Sequence, residues 1–173
     1  MKKKNTQPLV SVIMNSYNGE KYLSYSLKSL INQTYKNWEL IFFDNNSKDN
    51  SYKIINKFKN KKIKYFFSNK HFNLYHARNL AVKKAKGKYV AFLDTDDLWH
   101  KLKLEKQVNF LESNKMYELV YSNYYVINMK KKKTLKKFNK TLPYGSISRK
   151  LINNYIIGVI TVLIKRKVFK KYK

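Results

Sequence analysis

The chain has 173 residues, 38 Lys+Arg against 10 Asp+Glu, no cysteine and a formal net charge of +28. That length suits one domain with a proper core; disulfides and cysteine-bound metals are excluded, and no apolar run reaches the roughly 18 residues of a membrane-spanning helix. The charge would draw nucleic acid, anionic headgroups or phosphorylated substrates, but the lysines are spread along the whole chain among abundant Asn, Ile and Tyr, as compositional drift would leave them, and no zinc-binding, RNP-type or helix-turn-helix pattern singles out nucleic acid.

The start, MKKKNTQPLV, is basic but lacks an apolar core, so it does not read as a signal peptide and a cytoplasmic location is expected. Residues 9–14, LVSVIM, form a first apolar strand closed by the polar turn Asn15-Ser16-Tyr17-Asn18-Gly19. Leu23, Leu27, Leu30 and Ile31 then recur at helical spacing. Trp38 to Phe43 is a second strand, ended by Asp44-Asn45-Asn46-Ser47, with Ser47 as N-cap of a helix carrying Tyr52, Ile55 and Phe58. Ile63 to Phe67 is a third strand. Residues 73–86 form a helix with Leu74, Ala77 and Ala81 on one face and Gly87 as its stop, and residues 89–93 are a fourth strand. There follow a helix over roughly 101–113, an aromatic and β-branched strand over 118–128, a basic low-complexity loop at 129–140, a short helix at 146–154 and an apolar strand over 156–164 interrupted by Gly158. Strands alternating with helices imply right-handed βαβ units and a mainly parallel sheet. Ligands of such sheets sit beyond the carboxyl ends of the strands, so the turns at 15–19, 44–47 and 94–97 are expected to line one crevice.

The stretch KYVAFLDTDDLW, residues 88–99, stands out because a buried strand ends in three carboxylates, Asp94, Asp96 and Asp97. Asp94 and Asp96 are two apart and point to one side of an extended backbone. The like charges repel, and a hard divalent cation, Mg²⁺ or Mn²⁺, would relieve them with oxygen ligands. An acidic turn capping the next helix is the plainer alternative.

Four pieces in order, VSVIMNSYNGEKYL, QTYKNWELIFFDNNSKDNS, ARNLAVKKAKGKYVAFLDTDD and VITVLIKRKVF, resemble the family 2 glycosyltransferases, which have the GT-A fold. The resemblance covers nearly all of the chain and implies an α/β, Rossmann-like GT-A domain with helices on both faces of the sheet. It implies transfer of a sugar from a nucleotide diphosphate sugar to a polysaccharide or glycolipid acceptor, inverting and dependent on Mg²⁺ or Mn²⁺. By the same resemblance Ser16, Tyr17 and Asn18 edge the nucleotide pocket, with Tyr17 against the base, and Asp44 and Asn45 meet the nucleotide. Arg78 faces the diphosphate. Asp94, Thr95 and Asp96 form the DxD motif, with Asp96 and Asp94 as metal ligands. Asp97 reaches the sugar or caps the next helix.

The chain departs from the family after residue 118. Glu118 is the last acid, and residues 119–173 hold fifteen Lys+Arg and no Asp or Glu. The acidic pair that supplies the general base in relatives is absent, so the expectation is a single domain over 1–173 without the C-terminal acceptor and base segment, which binds donor and transfers it poorly. His71, His76 and His100 are weak substitutes, His100 being nearest the acidic turn in sequence. A catalytically incomplete donor-binding fragment and a basic nucleic-acid-binding protein are the alternatives; a nucleotidyltransferase lacks its glycine-rich loop. The basic loop at 129–140 and the basic tail are expected to favour an anionic membrane surface weakly.

Overall fold

The structure is a computed structural model and describes residues 7–128, 133–153 and 156–171. Eight strands and six helices are present among these residues: β1 (Val10–Ser16), α1 (Glu20–Ile31), β2 (Trp38–Asp44), α2 (Ser51–Lys57), β3 (Ile63–Phe67), α3 (Leu74–Lys83), β4 (Tyr89–Phe92), α4 (Lys103–Ser113), β5 (Leu119–Val120), β6 (Tyr125–Asn128), β7 (Lys133–Lys136), α5 (Ser148–Asn153), β8 (Leu163–Lys165) and α6 (Val168–Lys171). The main sheet has the order β3-β2-β1-β4-β8-β5. β3, β2, β1 and β4 are parallel, and β8 lies antiparallel between β4 and β5. The α/β class and the mainly parallel sheet stand as expected. No described helix is long and apolar enough to cross a membrane.

Strand parity divides the core in two. Val10, Val12 and Met14 of β1 join Leu40, Phe42, Tyr89, Ala91 and Leu93 beneath α1, α2 and α4, while Ile13 joins Ile41, Phe43, Val90 and Phe92 beneath α3. Phe169 of α6 packs on that second face. Helices therefore cover both faces, as a sheet buried on both sides requires. Ala77 and Ala81 let α3 approach the sheet, and Gly87 is needed below it: a Cβ there would stand 2.6 Å from the Ser11 N–H nitrogen and 2.7 Å from the Leu9 carbonyl.

Several boundaries differ from the sequence expectation. β1 and β2 run to Ser16 and Asp44, which pair with each other at the strand tips. α2 starts at Ser51 with Asn50 as N-cap, not at Ser47; the Ser47 N–H is turned back onto Asp44 Oδ1 at 2.8 Å. The single strand expected over 118–128 is two pieces. β5 belongs to the main sheet, and β6 pairs with β7 in a separate ribbon. Asn123 makes the break: its Oδ1 accepts the Phe138 and Tyr124 N–H groups and its Nδ2 donates to the Phe138 carbonyl, folding β7 back on β6. β7 also puts a strand where a loop was expected at 129–140; residues 129–132 lie outside the described residues. The apolar run at 156–164 opens as a single 3-10 turn, Val159–Thr161, because the Thr161 hydroxyl and N–H both donate to the Gly158 carbonyl. Only Leu163–Lys165 pairs as a strand.

Candidate active site at the carboxyl rim

β1 lies between β2 and β4, so the chain leaves the carboxyl ends of these neighbours in different directions and opens a crevice there. Three loops meet at this rim. The first two are laced together. Asn45 N–H donates to the Ser16 carbonyl at 2.8 Å. Asn18, at a positive φ of 52°, donates its N–H to Ser47 Oγ and accepts the Lys48 N–H on its side chain. Glu20 N–H donates to Asp49 Oδ2 at 2.8 Å, and Glu20 Oε2 accepts both the N–H and the amide of Asn50. Burial works against Asp49, but the Glu20 and Ser51 donors hold its carboxyl below the usual carboxylate range. Glu20 and Asp49 thus stand at the rim, and each satisfies N–H groups at the start of the other's helix.

Asp44 is buried at the tip of β2. Its Oδ1 accepts the Ser47 N–H and its Oδ2 accepts the Tyr65 hydroxyl, both at 2.8 Å. Burial and the Asp44 bond together push the Tyr65 hydroxyl well above its usual range. The Asn45 amide, expected to meet the nucleotide, is held by the main chain of Phe72: the Phe72 N–H donates to Oδ1 at 3.0 Å and Nδ2 donates to the Phe72 carbonyl at 2.7 Å. This clamp sets His71 against the Tyr17 ring, centroids 4.0 Å apart. The exposed Tyr17 and His71 make an aromatic step beside Asp44. His76 faces Phe72 instead.

The third loop carries the acids. Arg78 reaches from α3 to Asp94 and donates to both carboxylate oxygens, at 2.7 and 2.8 Å. Asp96 is exposed, and among the described residues its carboxylate accepts no hydrogen bond. Burial first, then the charges of Asp96 and Asp94, push Asp97 up to about 6 against the pull of Arg78. The turn is underpinned by α1. The Ser26 hydroxyl, fully buried, lies 2.7 Å from the carbonyls of both Thr95 and Asp97. Ser29 accepts the Trp99 N–H, and Gln33 donates to the His100 carbonyl while accepting the Leu104 N–H. The loop therefore runs down α1 and carries His100 about two helical turns from Ser26; adjacent to the acids in sequence, it is displaced from them in space. Gly19 packs so closely on Thr95 that a Cβ would come within 2.9 Å of its hydroxyl.

A divalent cation needs oxygen ligands, and Mg²⁺ is commonly held by one or two carboxylates with the rest from phosphate and water. No group of three or more His, Asp or Glu side chains converges on one point among the described residues. The free Asp96 and the crowded charges of Asp94 and Asp97 fit a cation shared with a bound diphosphate, and do not fit a closed protein cage.

Asn15 was no more than part of a turn in the sequence. It stands two residues beyond the Ile13–Phe92 pair on the α3 face, level with Asp94. It is 9% exposed, and neither its amide nitrogen nor its amide oxygen has a partner. Its amide thus has a donor and an acceptor that no described protein group engages. Ser26, Ser29 and Gln33 belong to no motif, yet they hold the acidic loop. Their signal was a polar residue at helical spacing on the same stretch as Leu23, Leu27 and Leu30.

Comparison with known proteins agrees with this fold. Over 164 residues the chain is 37% identical to the Escherichia coli UDP-Glc:alpha-D-GlcNAc-diphosphoundecaprenol beta-1,3-glucosyltransferase WfgD, covering 95% of this chain and 63% of that one. A second Escherichia coli enzyme of the same description, WfaP, is 42% identical over 118 residues, 68% of this chain and 47% of that one. The chain thus spans about half to two thirds of these curated relatives. Among solved structures, S. aureus TarS 1-349 in complex with UDP superposes with a TM-score of 0.73 at 23% identity, over 94% of this chain and 48% of that one. The Pyrobaculum calidifontis mannosyltransferase PcManGT, in complex with GDP-Man and Mn²⁺, gives a TM-score of 0.72 at 18% identity, over 96% and 47%. The fold is that of these GT-A structures, and because the model of Glycosyl transferase family 2 matches residues 11–173, the chain belongs to that family.

Proposed function

We propose that the rim crevice binds a nucleotide diphosphate sugar and that the protein transfers the sugar to a lipid-linked saccharide, building a surface polysaccharide or glycolipid. The observation that carries this reading is the acidic turn beside Arg78 at the switch point between β1 and β4, with Asp96 left free. Ser16, Tyr17, Asn18 and Asp44 border the nucleotide, with Tyr17 and His71 offering faces for base stacking. Asn45 acts by fixing the Phe72 loop beside them. The unpaired Asn15 amide supplies a donor and an acceptor from within the crevice. Thr95 lies against the sugar-nucleotide, and Asp96 with Asp94 would hold Mg²⁺ or Mn²⁺. When bound, such an ion offsets the negative charge that grows on the departing diphosphate.

In this reading Arg78 has two duties. It keeps Asp94 ionised and oriented in the free protein, and it offers its remaining N–H donors to the diphosphate. The acceptor hydroxyl attacks the opposite face of the sugar, so the transfer inverts. Glu20 and Asp49 are tied to helix N–H groups, and Asp44 to Ser47 and Tyr65. None of the described acids outside the acidic turn is placed to take the acceptor's proton, so residues 7–171 alone bind donor and transfer slowly. General-base help is worth about 10²–10⁴-fold. A uridine diphosphate sugar is the first donor to try, since WfgD and WfaP are named for UDP-Glc. The protein works from the cytoplasmic side, peripheral to the membrane that holds the acceptor.

The test is thermal stability with Mn²⁺ and a panel of nucleoside diphosphate sugars. One of them should raise the melting temperature, and Asp96→Asn should remove the Mn²⁺-dependent part while the unliganded protein melts no lower, because the substitution relieves repulsion within the turn. No shift with any sugar nucleotide would sink the reading.

A further inference from the structure

We propose that the ribbon of β6 and β7 is a membrane-docking element that inserts its apolar residues between anionic headgroups on the side of the molecule where the crevice opens. Tyr125, Val126 and Ile127 are consecutive in β6, so they alternate between the two faces of the ribbon; they are 64%, 49% and 51% exposed, and Leu135 of β7 is 66% exposed. Register puts Val126 opposite Leu135 on one face and Ile127 opposite Thr134 on the other. Among the described residues neither face is closed by the body of the protein. A lone two-stranded ribbon with apolar groups on both faces is marginal in water and needs a cover. The residues around it say which. Lys136, Lys137 and Lys140 are on the returning strand and just beyond it, and no acid follows Glu118. Apolar and aromatic side chains interleaved with lysine match an interface of acyl chains beneath anionic headgroups.

The ribbon's root fixes which end of the molecule meets the bilayer. β5 runs parallel to β4, and Val120 is level with Leu163 and Ala91, so the chain leaves β5 at the carboxyl rim. There Tyr124 packs on Gly158, 3.1 Å from where a Cβ would stand. The turn that follows, Val159–Thr161, is bound to the acidic-loop side by the Trp99 indole N–H on the Ile160 carbonyl at 3.0 Å. The ribbon thus rises from the same rim as Asp94–Asp97. The basic tail does not: β8 runs the other way, Arg166 N–H donates to the Lys88 carbonyl, and α6 lies at the amino edge of the sheet. One flat bilayer meets the ribbon or the tail, and only the ribbon brings the crevice to a lipid-linked acceptor. That orientation rests on the function proposed above, whereas insertion of the ribbon does not.

The experiment is co-sedimentation of the purified protein with phosphatidylcholine vesicles containing about one third phosphatidylglycerol, beside the variants Ile127→Ser/Leu135→Ser and Lys136→Ser/Lys137→Ser and the tail variant Lys170→Ser. The apolar pair should weaken binding at least tenfold without a change of net charge, the lysine pair severalfold, and Lys170→Ser not at all. In Tyr125→Trp, lipids brominated on their acyl chains should quench the added fluorescence. Wild-type binding by Ile127→Ser/Leu135→Ser, or no quenching, would overturn insertion and leave adsorption by charge. A dimer in light scattering that this pair dissolves would overturn it in favour of a second copy as the cover. Sugar-nucleotide binding measured without vesicles separates the two proposals: intact donor binding with no vesicle binding ends the docking proposal alone, and the reverse ends the function alone.

Discussion

Asn15 joins stability to binding in one side chain. Both polar atoms of its amide are buried without partners, a condition that costs about 1–3 kcal/mol. Asn15→Val is close in size and suits a strand, so it should raise stability by about 1–2 kcal/mol in urea denaturation. It should also weaken sugar-nucleotide affinity by roughly tenfold if the amide meets the ligand. A stabilised variant with unchanged affinity would remove Asn15 from the site. The sequence could place Asn15 in a turn at a strand end, but parity and register were needed to show that its amide is buried. Asn45 gives the converse lesson. Its chemistry suits a base edge, yet the Phe72 main chain, twenty-seven residues on, takes both of its polar atoms. No local pattern encodes a side chain to main chain clamp across that distance.

The strands of the βαβ part were legible because each is an apolar run bounded by turn residues, and a strand buried on both faces needs no finer signal. The later elements were not. The aromatic run from Glu118 to Asn128 has strand composition throughout, and only the bonds of Asn123 to Phe138 divide it between two sheets. The spacing of α1 describes a plain amphipathic helix, whereas Ser26 and Ser29 within it and Gln33 just past its end shape the acidic loop. Ser26→Ala leaves the Thr95 and Asp97 carbonyls without their donor and should cost about 1–3 kcal/mol. Because those carbonyls set the turn, Mn²⁺-dependent donor affinity should fall with stability. Titration of donor against the variant at a temperature where it stays folded distinguishes this from simple unfolding. A loss of stability with full affinity would mean that the turn holds its shape without α1.

At the scale of the molecule, charge is sorted by edge. The carboxyl rim gathers the acids of the crevice. At the amino edge a cleft of about 460 Å³ is lined by Lys88, Lys115, Lys165, Arg166, Lys167 and Lys170. Glu112 and Glu118 temper it. Burial opposes Glu112, but hydrogen bonds from Lys115, Lys88 and Tyr89 outweigh it and bring its carboxyl down to about 2 from an ordinary 4.5. Between those values the unfolded chain binds the proton and the folded one does not. This contribution is therefore complete above about pH 4.5 and fades as the pH falls toward 2. After allowance for solvent screening it is worth about 1–2 kcal/mol. Glu112→Gln should lose that amount at pH 7 and match the wild type near pH 2. Equal stability at both values would show that the lysines gain nothing from this acid.

The lacing of the first two loops has a consequence for recombination. Asn18 with Ser47 and Lys48, and Glu20 with Asp49 and Asn50, bond reciprocally across about thirty residues of chain. A chimera that imports one loop from a relative and keeps the native other would break several of these bonds at once. Crossovers placed before Ser16 and after Ser51 transplant the pair whole. Loop exchanges within the family should therefore keep the fold when both loops move as a block that retains Ser26, Ser29 and Gln33 against the acidic loop, and fail loop by loop.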